Sequence, residues 1–97
     1  MMKEELLKLI LEFVERKGKM WFSRDEFLVW LWFRKRNISF ESVSRKLRLL
    51  ARQGFLAKRY VRVEEWGFAR KVYYFPIKYN IYKYLMRGRR KLVNAVQ

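Results

Sequence analysis

A chain of 97 residues allows one small domain with a modest core, and an apolar fraction of 52% with 19% aromatics is too high for a disordered tail. The absence of Cys and His removes disulfides, thiol catalysis, zinc fingers and the commonest general base. The net charge of +15 falls on residues 34–97 alone, because residues 1–33 carry six Lys or Arg against six Asp or Glu, and such sorting points to a polyanion-binding surface rather than a solubilising coat.

Residues 3–17, KEELLKLILEFVERK, have the spacing of an amphipathic helix, with Leu6, Leu9, Ile10, Phe13 and Val14 inward. Glu4 and Glu5 suit its positive end, Arg16 and Lys17 its negative end, and Gly18 stops it. The four residues KMWF that follow fit a brief strand at most. Ser23-Arg24-Asp25-Glu26 has the form of a capping box and predicts a second helix running to about Arg36. Phe27, Trp30, Leu31 and Arg34 lie along one side of it, and Val29, Trp32 and Phe33 widen the apolar surface. A helix this apolar is expected to be well buried or shared with a partner chain; a base-stacking role for its aromatics is the less favoured reading.

Asn37 is the expected left-handed stop, with Ile38 plugging a short turn into the next helix. That helix, within Ser39–Leu56, is the informative stretch. Ser39 caps it, Val43, Leu47, Leu50 and Ala51 share a face, and Arg45, Arg48 and Arg52 fall opposite. Gly54 supplies a left-handed end, and Phe55 and Leu56 open an extended run. Residues 55–63 and 69–77 read as two strands joined by a turn at Glu64-Glu65-Trp66-Gly67, with Pro76 ending the pairing. Asn80 is placed to cap a last helix with Ile81, Leu85, Leu92 and Val96 roughly on one side, weakened at Gly88 within a basic run.

The order Ser39-x-x-Ser42-Val43-Ser44-Arg45-x-Leu47-x-x-Leu50-x-x-x-Gly54-x-Leu56 resembles the recognition helix and wing entry of winged helix-turn-helix DNA-binding proteins, of the small prokaryotic, archaeal or viral regulator type. The resemblance spans residues 3–77 in element order. It implies an α+β winged helix-turn-helix fold: a three-helix core, a short strand plus a two-stranded wing, and a C-terminal helix. The domain would occupy residues 1–77, with 78–97 a basic extension.

The resemblance also implies roles. Phe40, Glu41, Ser42, Ser44 and Arg45 become the candidates for reading bases in the major groove. Arg45 would grip guanine in a bidentate way, and Glu41 would accept from cytosine. Lys35, Arg36, Ser39, Lys46, Arg48 and Arg52, with Lys58, Arg59, Arg62, Arg70 and Lys71 on the wing, are assigned to phosphates. Tyr82, Leu85, Met86 and Leu92 are candidates for a homodimer interface, against packing of the last helix within its own chain.

The expected function is sequence-selective binding of double-stranded DNA by a homodimeric transcription regulator, two recognition helices standing about 34 Å apart. Roughly eight phosphate contacts would give a log–log salt slope near −7. Nonspecific DNA or RNA packaging and a protein–protein adaptor are the alternatives. The nine carboxylates form no acid/base or metal set, and no phosphate-cradling Gly-rich loop is present, so no enzyme, metal or cofactor is expected. The longest apolar run, Phe27 to Phe33, is too short for a bilayer, and no targeting segment is visible; a cytoplasmic, nucleoid-associated protein is the expectation.

Overall fold

Six of the first fourteen residues are apolar side chains on one helical stripe, and this stripe is the centre about which the chain packs. The computed structural model describes residues 1–62 and 70–96, with side chains through Arg87 in the last helix. The expected turn at 64–67 and the side chains of Leu92 and Val96 lie outside the described residues. In order the elements are α1 (Lys3–Lys17), β1 (Phe22–Ser23), α2 (Arg24–Phe33), α3 (Phe40–Arg52), β2 (Leu56–Arg62), β3 (Arg70–Pro76) and α4 (Lys78–Val96). Among the described residues the fold is therefore α+β, with four helices and a three-stranded antiparallel sheet ordered β1-β3-β2. No helix among them is long and apolar enough to cross a membrane.

Phe13 on α1 lies edge-on to Phe22, with ring centroids 5.6 Å apart, and within 5.4 Å of Phe27 and 5.2 Å of Trp30. Leu6, Leu7, Ile10, Leu31, Val43, Leu47, Leu50, Leu56 and Ile81 close around this aromatic centre. Each aromatic ring buries a large area and adds an edge or tilt contact, and these residues of six elements converge on one core.

The helix ends follow local chemistry. Gly18 closes α1 at φ 69°. The Ser23 hydroxyl accepts from the Glu26 amide at 3.3 Å, half of the expected capping box. The other half is not made: Glu26 Oε1 pairs with Lys19 at 3.4 Å instead. Ser39 caps α3 by accepting from the Ser42 amide at 3.1 Å. At the far end Phe55 N–H donates to Leu50 O and Gly54 N–H to Ala51 O, the paired bonds of a Schellman closure, with Gly54 at φ 88°.

Two expected ends are corrected. Helix α2 stops at Phe33, not near Arg36. Lys35, not Asn37, takes the left-handed position at φ 58°, because Arg36 N–H reaches back to Leu31 O and closes the turn early. Asn80 does not cap α4, which begins two residues earlier. Its amide donates to Gly54 O at 2.7 Å and ties α4 to the end of α3.

The outer side of α2 is not buried within this chain, which is one of the two expectations for it. Val29, Trp32 and Phe33 are exposed, Phe33 to 83%. The Trp32 indole N–H donates to Ile38 O at 3.0 Å and so clasps the α2–α3 turn from outside. Ile38 packs on the core from within, as expected of a plug.

Candidate nucleic-acid interface

Helix α3 turns 100° per residue, which sorts its side chains onto a buried and an exposed side. Val43, Leu47 and Leu50 are buried. Arg45, Arg48 and Arg52 are exposed on the far side, together with Glu41. A buried seam and an outward arginine strip thus share one helix, anchored at both ends by the Ser39 cap and the Gly54 closure.

The β2–β3 hairpin continues this surface. Side chains alternate across a strand, so Leu56, Lys58, Tyr60 and Arg62 share one face. Their partners in register are Pro76, Tyr74, Val72 and Arg70. Near the core this face is apolar and buried, at Leu56, Pro76 and Tyr74. Farther out it becomes exposed and cationic, at Arg62 and Arg70. The sheet outgrows the helices it covers, and the overhang carries the charge.

Arg59 and Lys71 fall on the opposite face, beside Tyr73 and Phe75. Arg59 lies 5.9 Å from the Trp21 ring, and Trp21 packs on Phe75 at 4.9 Å. The five wing cations, expected to act together, are therefore divided between two faces.

Other expected contacts are redistributed. Ser44 is buried, its hydroxyl accepting from Arg24 at 3.1 Å, so it is not a free base reader. Phe40 lies under the same guanidinium, 4.0 Å from it, although its ring keeps an open edge. Arg36 is paired with Glu5 of α1 at 2.6 Å, so its charge is already matched. Lys46 donates to Met1 O at 3.0 Å and belongs to the start of α1. Arg34 pairs with Glu12 and covers the Trp30 ring. Lys35, Ser39, Glu41, Arg45, Arg48, Arg52, Lys58, Arg62 and Arg70 remain exposed, and Ser42 is half-buried. On α4, Tyr82 and Met86 are exposed, but Leu85 packs on this chain's own core.

Comparison with protein-family models, curated proteins and solved structures finds no match for this chain. The reading of the surface therefore rests on its geometry.

Sequence reasoning did not find Arg24. It opens α2, yet its side chain reaches α3, where it meets both Phe40 and Ser44. Beside it Tyr74 is buried under the sheet. Burial pushes its hydroxyl above the ordinary value of 10.0, and nearby Lys58, Arg24 and Arg48 pull the other way. Between the start of α2, the flank of α3 and β3 lies a cleft of about 360 Å3 whose walls include Arg24, Arg48, Arg70 and Lys71, although the Lys71 ammonium lies 5.7 Å from the ring of Tyr73 on the other sheet face. The signal available in the sequence was the position of Arg24 directly after a helix-capping serine, where a cation opposes the helix dipole and needs another reason to be there.

Proposed function

We propose that the protein is a winged helix-turn-helix DNA-binding protein that reads double-stranded DNA with α3 and steadies it with the overhanging β2–β3 hairpin. The observation that carries this reading is the outward strip of Arg45, Arg48 and Arg52 on the helix whose opposite side is the buried Val43–Leu47–Leu50 seam. The element order and the β1-β3-β2 sheet support it, since they set the hairpin beside that helix.

Arg45 near the start of α3 grips guanine O6 and N7, flanked by Glu41 and Ser42. Arg48, Arg52, Lys35, Lys58, Arg62 and Arg70 meet phosphates and fix the register. Arg36, Lys46, Arg59 and Lys71 leave the contact set, since each is paired or faces elsewhere. Six phosphate-contacting cations then remain, and the salt slope becomes about −5 for each copy rather than −7. The working unit is a homodimer acting in transcription regulation, with Tyr82 and Met86 on α4 as its contact.

Selection of bound duplexes from a random pool tests the reading. A recurring near-palindromic site supports it; recovery of the pool unchanged shows binding without base readout. A second reading is favoured by one observation. Val29, Trp32 and Phe33 present an uncovered apolar side of α2, which suits contact with another protein.

A further inference from the structure

Three guanidiniums face one cleft. Arg24 Nη1 donates to Ser44 Oγ at 3.1 Å, and Arg48 Nε donates to Ser44 O at 3.4 Å. Two like charges from different helices are thus pinned to the same residue. Arg70 comes from β3, where it stands directly opposite Arg62. Like charges so placed repel, and the arrangement costs stability unless something negative sits between them. Asp25 is the carboxylate in the cleft wall, and it stays 3.8 Å from Arg24 Nε, beyond hydrogen-bond reach. That Nε is almost inaccessible and has no acceptor among the described residues. The start of α2 adds its own positive end to the same space, since Ser23, Arg24 and Asp25 line it.

We propose that this cleft is a built phosphate-binding site, in which one phosphate group sits between Arg24, Arg48 and Arg70 against the edge of Tyr74. Planar guanidinium forks match the oxygens of a phosphate, so the exposed part of the Arg24 guanidinium can donate to it beside Arg48 and Arg70, while the inaccessible Nε reports the change without touching the ligand. The cleft, at about 360 Å3, has room for the group together with an attached sugar. The phosphate comes either from a duplex backbone, which rests on the DNA reading, or from a small phosphorylated molecule, which does not. The site also bears on α3. Arg24 is the link between the start of α2 and Phe40 and Ser44, so a phosphate that engages Arg24 stiffens the first turns of the reading helix.

Thermal unfolding of the full chain, with inorganic pyrophosphate added at constant ionic strength, tests the site. Arginine Nε–H resonances are followed in the same titration. The small-molecule source predicts that pyrophosphate raises the Tm and shifts the Arg24 Nε–H signal. Arg48→Gln or Arg70→Gln then weakens it about tenfold or more, and Arg59→Gln on the other sheet face leaves it unchanged. The backbone source predicts that Arg48→Gln and Arg70→Gln weaken duplex binding evenly across sequences and that a bound duplex shifts the same Arg24 signal. A pyrophosphate response without duplex binding upholds the cleft while rejecting the DNA reading. If neither pyrophosphate nor duplex moves the Arg24 signal, or if Arg59→Gln matters as much as Arg70→Gln, the site is refuted.

Discussion

Ser39, Gly54 and Lys35 are single residues on which the pose of α3 depends. Ser39 satisfies an otherwise free amide of the first turn, so Ser39→Ala should cost about 1 kcal/mol in denaturant unfolding. Gly54 holds φ 88°, where a Cβ is strained although it would meet only the Asn80 amide nitrogen, at an ordinary contact distance of 3.9 Å. Gly54→Ala should therefore destabilise by about 1 kcal/mol or more, and through backbone strain alone. Lys35 already bears that strain at φ 58°, so Lys35→Gly should stabilise the fold by up to about 1 kcal/mol while removing a cation. Tyr74 makes a pH statement. Its folded value lies above the unfolded 10.0, so the folded protein keeps a proton that the unfolded chain gives up. Stability from this group is complete below pH 10 and falls as the pH rises from there toward the folded value. Unfolding measured across that range should show a steeper loss for the natural protein than for Tyr74→Phe.

At the scale of the element, α3 was legible because its signals agree. Cap, seam, arginine strip and glycine stop all fit one helix, and each is a local matter of spacing. Helix α1, the strand pair and Pro76 were legible for the same reason. The end of α2 was not, because Lys35 takes the left-handed position through a closure made by Arg36 and Leu31, and propensity favours Asn there. Strand alternation was readable at each wing cation, but which face met the core depended on pairing, and only the register divides Arg62 and Arg70 from Arg59 and Lys71. This division is measurable. Alanine at Arg62 and Arg70 together should lower the magnitude of the salt slope by nearly 2, whereas alanine at Arg59 and Lys71 should leave it almost unchanged. Equal losses from the two pairs would show that both faces of the hairpin meet the ligand.

For the whole molecule, the charge sorting seen in the composition becomes a spatial one, though incompletely. Glu5 and Glu12 on α1 take Arg36 and Arg34, so part of the basic excess is matched against the acidic front half. These pairs are partly exposed and contribute little stability. Their effect is to remove positive charge from the side of α1 and leave it on α3 and the hairpin. The Arg24–Ser44 bond and the cleft were beyond reach of the sequence, since they join residues 20 positions apart across two helices. The proposed homodimer would meet through α4. Tyr82 is 50% and Met86 54% exposed on α4, while Leu85 is committed to the core of its own chain. Glutamate at positions 82 and 86 should convert a sedimenting dimer to monomer and weaken duplex binding cooperatively; an unchanged mass would move the interface to Val29, Trp32 and Phe33.

Amide chemical shifts of the full chain, followed while a mixed-sequence duplex is added at moderate salt, bear most directly on the outward arginine strip as the working surface. The expected perturbations centre on residues 40–52 and on the overhang around Arg62 and Arg70, with α1 and the outer side of α2 quiet. Perturbations centred on Trp32 and Phe33, or spectra that the duplex leaves unmoved, would contradict it.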